Sequence, residues 1–448
     1  MKQTYIVALE IGSSKIKGAV GTIDESGVLT VQSVEEEPIV DCVRYGIISN
    51  AGDVAYHANQ VIDRLEARMG GRSIQSVYVA LGGRSLRSDA REVERQLPGE
   101  MEITRDMIEQ LMVETSESSM PQREKLDVVP REFYVGKTRV AKPIGTLGSS
   151  VRMLGNLITC RPQLKRNLIH LLEEKLDLNI AGWEVRQLAE ADLVLTPEDR
   201  RLGCMLVDCG AETTTVSIYT GGTLRYLATL PLGSRNITRD ISALNILEER
   251  AEEIKRHLGN ARYSSASATQ DNDGIDVAAV NKHVVARAGE IIANINNQLT
   301  LAGVKAEELP AGIILVGQAS RLAGFSERLA EAIPHMKVRL GNPMRREVVI
   351  ANPRISLADS VDVISILYAA TRHPMECTLA PEPVAVPEPQ PVHETTDKHD
   401  PEPKQEPEPE TGTKGKGPNF FERMAERINK LLEERDEDDE DDDMREDD

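Results

Sequence analysis

Glu10-Ile11-Gly12-Ser13-Ser14-Lys15 and Asp208-Cys209-Gly210-Ala211-Glu212-Thr213-Thr214 are two versions of one chemical device. Each follows an apolar run, residues 6–9 and 205–207, and each leads into a further β-like stretch. A carboxylate at a strand end is placed to hold a divalent cation, through water in the case of magnesium. Glycine at the tip lets backbone approach closely, and the N–H groups beside small hydroxyl residues suit a phosphate. Either copy alone reads equally as a β-hairpin with a polar tip. As a pair, with the acids 198 positions apart, they predict a nucleotide phosphate tail gripped from both sides. Glu10 and Asp208 are then the expected metal ligands.

Two further pieces could serve the same ligand. In residues 312–325 (GIILVGQASRLAGF) an apolar strand runs into Gly317, and the spacing predicts a helix from near Ser320. Such a junction puts a helix N-terminus beside a ligand, or is a plain strand–helix connection. Glu252 and Lys255, three apart on a helix, form either a solvated ion pair or a contact to ribose hydroxyls.

The elements that must position these groups alternate along residues 1–375. Residues 5–9, 77–81, 205–207 and 313–316 are short apolar runs closed by Gly or an acid, the pattern of buried strands. Between them, residues 164–176, 246–258 and 283–301 carry helical periodicity. The fold class is α/β. Five scattered cysteines without a CxxC read as buried free thiols of a reducing cytoplasm. The formal charge is −20, but residues 376–448 hold 25 acids against 9 bases, so −16 of it belongs to a tail. That balance excludes a nucleic-acid surface. No stretch approaches the ~18–20 apolar residues of a membrane span, and the N-terminus lacks the marks of a signal peptide.

Together these motifs resemble the actin/hexokinase-type ATPase family, and within it the FtsA branch of bacterial cell-division proteins. The hairpins match the family's two phosphate motifs and residues 312–325 its adenosine motif. LGSRNITRDI (232–241), with Gly233 and Asn236, and AEEIK (251–255) match the stretch between phosphate grip and ribose contacts. SIQSVYVALGGRSLRS (73–88) and VVPREFYVGKTRVAKPIGTLGSSVRMLGNLITC (128–160) resemble the subdomain this branch inserts between the two motifs. The resemblance implies an actin-like two-lobed ATPase fold. Lobe 1 would span 1–83, 164–195 and 351–375, the inserted subdomain 84–163 and lobe 2 residues 196–350. It also implies Mg-ATP held by Gly12, Ser13, Ser14, Lys15, Asp208, Gly210, Thr213, Thr214, Gly233, Asn236, Glu252, Lys255, Gly317 and Ser320. Departures bear on turnover. Glu10 stands where Asp is usual, Ala211 and Glu212 where glycines are usual, and Thr215 where an acid is usual. At most weak ATPase activity is expected, with no catalytic residue assigned.

Beyond the body, residues 376–417 hold nine prolines and ten acids and form a linker unable to bury a core. Residues 418–434 read as an amphipathic helix. At 100° per residue Phe420, Phe421, Met424, Ile428, Leu431 and Leu432 fall within an arc of about 120°, with Arg423, Arg427 and Lys430 along one edge. Such a helix lies in a membrane interface, or docks on protein. Residues 435–448 are an acidic tail. The resemblance implies self-assembly into filaments, capture of FtsZ by its C-terminal peptide, attachment to an anionic membrane surface at the division septum on the cytoplasmic side, and recruitment of later divisome proteins. A pilus-assembly actin homologue or a small-molecule kinase of the same superfamily is the alternative.

Overall fold

The computed structural model describes residues 3–264, 274–342, 345, 347–380 and 427. Two sheets organise them. The first has six strands, in the order Asn179–Val185, Ser76–Leu81, Thr4–Ile11, Lys15–Ile23, Leu29–Pro38 and Val348–Ile350. Thr4–Ile11 and Lys15–Ile23 pair antiparallel without a register break, from Thr4↔Ile23 to Ile11↔Ile16. Ser76–Leu81 joins the other edge of Thr4–Ile11 in parallel. Residues 6–9 are buried on both faces, which is why the sequence there is continuously apolar rather than alternating. Helices Ala51–Arg68 and Val361–Ala370 cover this sheet, and the first is capped by Asn50, whose side chain accepts from the N–H groups of Gly52 and Asp53.

The second sheet has nine strands, Thr138–Val140, Glu124–Val135, Leu147–Cys160, Arg87–Glu102, Thr223–Leu230, Thr214–Thr220, Cys204–Cys209, Gly312–Val316 and Val338–Leu340. Its first four strands, with helix Arg105–Glu117, are the inserted subdomain and enclose a core of their own around Leu111, Phe133 and Met153. A single register pair, Ala228↔Arg87, joins those strands to the rest, with Leu227 N–H donating to Ser88 Oγ at 2.8 Å and Asn156 Nδ2 to Leu224 O at 2.6 Å. The last five strands carry the second lobe, whose core forms against helix Val277–Ala302. Asp276 starts that helix by accepting from Ala279 N–H, and Gly303 in the left-handed region ends it.

Three expected boundaries shift. Val348–Ile350 already pairs with Leu29–Val31, so the return to the first lobe precedes residue 351. Thr378–Leu379 pairs with Ser73–Ile74 and Cys377 is fully buried, so the body continues through the first residues assigned to the linker. The segment is too short to register as a strand pattern. The expected helix from Ser320 is instead a single 3-10 turn, Gln318–Arg321. The α-helix starts at Phe325, because Gly324 breaks the chain with φ +73°. Among the described residues no helix is long and apolar enough to cross a membrane.

Candidate functional site

The echo between the two hairpins is physical. Gly12 N–H donates to Lys15 O at 3.0 Å, and Gly210 N–H donates to Thr213 O at 2.9 Å, so both tips close with the same bond. Glu10 and Asp208 sit at the ends of strands Thr4–Ile11 and Cys204–Cys209, and both side chains are buried. The tips face each other across a cleft of about 490 Å3 whose lining includes Glu10, Gly12, Ser13, Ser14, Lys15, Asp208, Gly210, Thr213, Glu252 and Gly317. A second cavity of about 970 Å3 shares Lys15, Ser234, Glu252, Arg256 and Gln318 with it and adds Lys255.

Four expected residues lie outside both linings. Thr214 donates its hydroxyl to Leu232 O at 2.8 Å, and Ser320 to Gly317 O at 2.6 Å. Gly233 N–H donates to Asn236 Oδ1 at 2.9 Å, and a Cβ on Gly233 would come within 2.5 Å of Ala211 O. These four hold the loops in shape. Glu252 and Lys255 do form an ion pair, at 2.6 Å, but Lys255 is buried and also donates to Thr238 Oγ1 and Ser234 O. Burial draws the Lys255 pKa down and Lys255 draws that of Glu252 down against the opposing effect of burial. Lys15 meets Glu36.

Sequence reasoning missed Arg186. It opens helix Arg186–Val194 and reaches three carboxylates: Glu10 Oε1 at 3.0 Å, Glu190 Oε1 at 3.0 Å and Asp208 Oδ2 at 2.7 Å. Its stem packs against Gly82. Burial raises the Glu10 pKa to about 7, with Arg186 opposing, and holds that of Glu190 well above the carboxylate range. Burial disfavours the guanidinium charge as well, but Asp208, Glu190 and Glu10 outweigh it and hold Arg186 protonated. Beside this cluster Lys17 donates to Asp362 at 2.8 Å and to Asp359 O at 2.6 Å.

Glu212, which stands where a glycine is usual, has its side chain enclosed by partners from both lobes. Tyr45 N–H donates to Oε2 at 2.6 Å, and Oε1 accepts from Arg239 at 2.8 Å and lies 3.0 Å from Arg44 Nε. Arg235, 3.8 Å from the same carboxylate, donates to Ser13 O at 3.1 Å. Thr215 spends its hydroxyl on Thr229 within the sheet.

Magnesium does not fit this arrangement. A cation held by both Glu10 and Asp208 would need the place that the Arg186 guanidinium takes between them. The remaining Asp208 oxygen, Oδ1, is buried beside Gly317 without a hydrogen-bond partner among the described residues, so a single carboxylate oxygen is left over once Arg186 is in place. Among the described residues no group of three or more His, Cys, Asp or Glu is arranged for a metal ion.

The stripe Phe420, Phe421, Met424, Ile428, Leu431 and Leu432 lies outside the described residues. Arg427 is described. Its Nε stands 3.1 Å from both carboxylate oxygens of Asp127, a buried residue of the inserted subdomain.

Comparison with known proteins follows the same division. Residues 205–360 match the family model for cell division protein FtsA, and residues 83–159 match the model for the SHS2 domain inserted in FtsA. The chain is 31% identical to the cell division protein FtsA of Porphyromonas gingivalis over 385 residues, covering 82% of this chain and 79% of that protein. It is 30% identical to the FtsA of Pseudomonas aeruginosa, covering 75% and 83%. Among solved structures, a PilM–PilN type IV pilus biogenesis complex chain is similar in fold, with TM-score 0.56 and 18% identity over 82% of this chain and 98% of that one.

Proposed function

Because the chain belongs to the FtsA family of cell-division proteins, we propose that it is a scaffold that assembles with copies of itself, captures FtsZ by its C-terminal peptide and ties it to the cytoplasmic face of the membrane. Later division proteins are recruited onto it. The observation that carries this reading is a similarity that spans both lobes and the inserted subdomain together. The actin-like body supplies two lobes around one cleft, a form suited to stacking head to tail. Titration of full-length FtsZ against FtsZ lacking its last dozen residues tests the capture. The deletion is expected to abolish binding, and unchanged affinity rejects the reading.

In the cleft we place an adenine nucleotide, with Ser13, Ser14, Lys15, Gly210 and Thr213 toward its phosphates and Glu252 and Gly317 toward its nucleoside. What supports this is the paired hairpin tips facing one cavity. No step is assigned to a metal there, and the position of Thr215, bonded within the sheet, leaves hydrolysis weak at most. For the terminal segment two readings stand. The apolar stripe in the sequence favours lipid, whereas the contact of Arg427 with Asp127 favours docking on the body.

A further inference from the structure

Arg186 is an unfavourable choice for its own helix. It is the first residue of Arg186–Val194, where the partial positive charge of the helix end repels a cation. Its one local partner is Glu190, four residues on, and its other two partners lie on strands, one in each lobe. Its planar fork donates from Nη1 to Glu10, from Nη2 to Asp208 and from Nε to Glu190. That is the geometry in which guanidinium, unlike ammonium, satisfies several carboxylates at once. Without it, Glu10, Glu190 and Asp208 would be three buried acids converging across the lobe boundary with only Lys17 nearby, and each would have to take up a proton or stay charged without a partner.

We propose that Arg186 is the resident counter-ion of the cleft, standing where a divalent cation would otherwise neutralise Glu10 and Asp208, so that the two lobes close on the chain's own side chain without metal. The second tie has the same character. Glu212 of one lobe meets the Tyr45 N–H and Arg44 of the other, and Arg235 reaches back to Ser13 O. A third tie, Gln318 to Asp359 at 3.0 Å, closes the far side of the cleft. Any nucleotide entering the cavity then meets a charge environment already balanced, and its binding does not require magnesium. The ATP arm of the test below rests on the nucleotide reading given above, whereas the metal arm does not.

The experiment follows thermal unfolding of the full chain and of Arg186→Ala, each in EDTA, in magnesium chloride alone, and in both again with ATP. The wild-type midpoint is expected to be the same with EDTA and with magnesium, and any shift from ATP to be the same in both. Arg186→Ala is expected to unfold at lower temperature in EDTA and to regain a few degrees with magnesium, as binding to the exposed carboxylates favours the folded state. Stabilisation of the wild type by ATP only when magnesium is present would overturn the proposal. So would an Arg186→Ala chain that folds but ignores magnesium. If ATP shifts nothing in either buffer, the nucleotide reading falls, and the metal response of the variant decides this proposal separately. Should Arg186→Ala not fold in EDTA, Arg186→Lys, which keeps one charge but loses the fork, is expected to fold and to show a smaller magnesium response. Its indifference to magnesium together with an unchanged midpoint would also overturn the proposal.

Discussion

Glu212 replaces a glycine that the phosphate motif of the family favours, and its surroundings explain how the chain tolerates it. The carboxylate is almost fully enclosed and shared among Arg44, Arg239 and the Tyr45 N–H. Glu212→Gly should therefore destabilise the body by about 1–3 kcal/mol, the scale of leaving buried donors without an acceptor, since Arg44 is partly solvated and recovers some of its loss in water. A denaturant midpoint equal to that of the wild type would reject this account. The thiols give a second test at the same scale. All five cysteines are buried and unpaired, as expected from their spacing. Burial pushes Cys160 up to about 11, Cys204 up to about 12 and Cys209 higher still, so none is a thiolate at neutral pH. Because the folded pKa values exceed the unfolded one, raising the pH from 7 to 9 should leave native alkylation slow, while denaturant should expose all five. Rapid modification of the folded chain at pH 9 would contradict it. What was legible here was local: an acid, one residue, a glycine and hydroxyls in a row. Arg186 was not, because its partners Glu10 and Asp208 lie 176 and 22 positions away. Its only local signal was a charged pair, Arg186 and Glu190, four apart within an apolar helical run.

At the scale of elements, strands announced themselves better than junctions did. Continuous apolar runs such as residues 5–9 and 313–316 can be satisfied only by burial on both faces, and both became inner strands. The stretch after Gly317 misled because small residues after a strand suit a 3-10 turn as well as a helix start, and a second glycine seven positions on decided between them. The inserted subdomain was read from resemblance, not from periodicity. Its strand Arg87–Glu102 is exposed along much of one face and carries few apolar side chains. Having its own core and one register pair to the second lobe, this subdomain should open as a unit. Phe133→Ala is expected to cost about 3–5 kcal/mol, the usual range for emptying a buried aromatic site. The loss should fall on amide-exchange protection of residues 87–160 while strands Thr4–Ile11 and Cys204–Cys209 keep theirs. Equal loss of protection in all three segments would mean the body unfolds as one.

At the scale of the whole molecule, the body and the terminal segment pose different physical problems. The body is specified by burial, whereas the stripe from Phe420 to Leu432 has no core of its own and depends on what it meets. Full burial of large apolar side chains contributes roughly 1.5–3 kcal/mol each, offset by the cost of ordering a short helix, so one copy should hold lipid reversibly. Self-assembly would present many copies and turn weak contacts into firm attachment. The 38 residues left between the body and the stripe, 380–417, extended at ~3.1 Å per residue, reach at most about 120 Å, enough for lipid contact at a distance from the body. Asp127 competes for the same segment, since its buried carboxylate is met by Arg427. Vesicle flotation separates these demands. Phe421→Asp with Ile428→Asp should release the chain from anionic vesicles, and reversing Arg423 and Arg427 should matter less, with its effect fading at high salt. Asp127→Asn should leave more of the segment available and increase flotation, because the neutral amide holds the guanidinium less firmly. If the double-Asp chain floats as well as the wild type, lipid attachment does not run through this stripe.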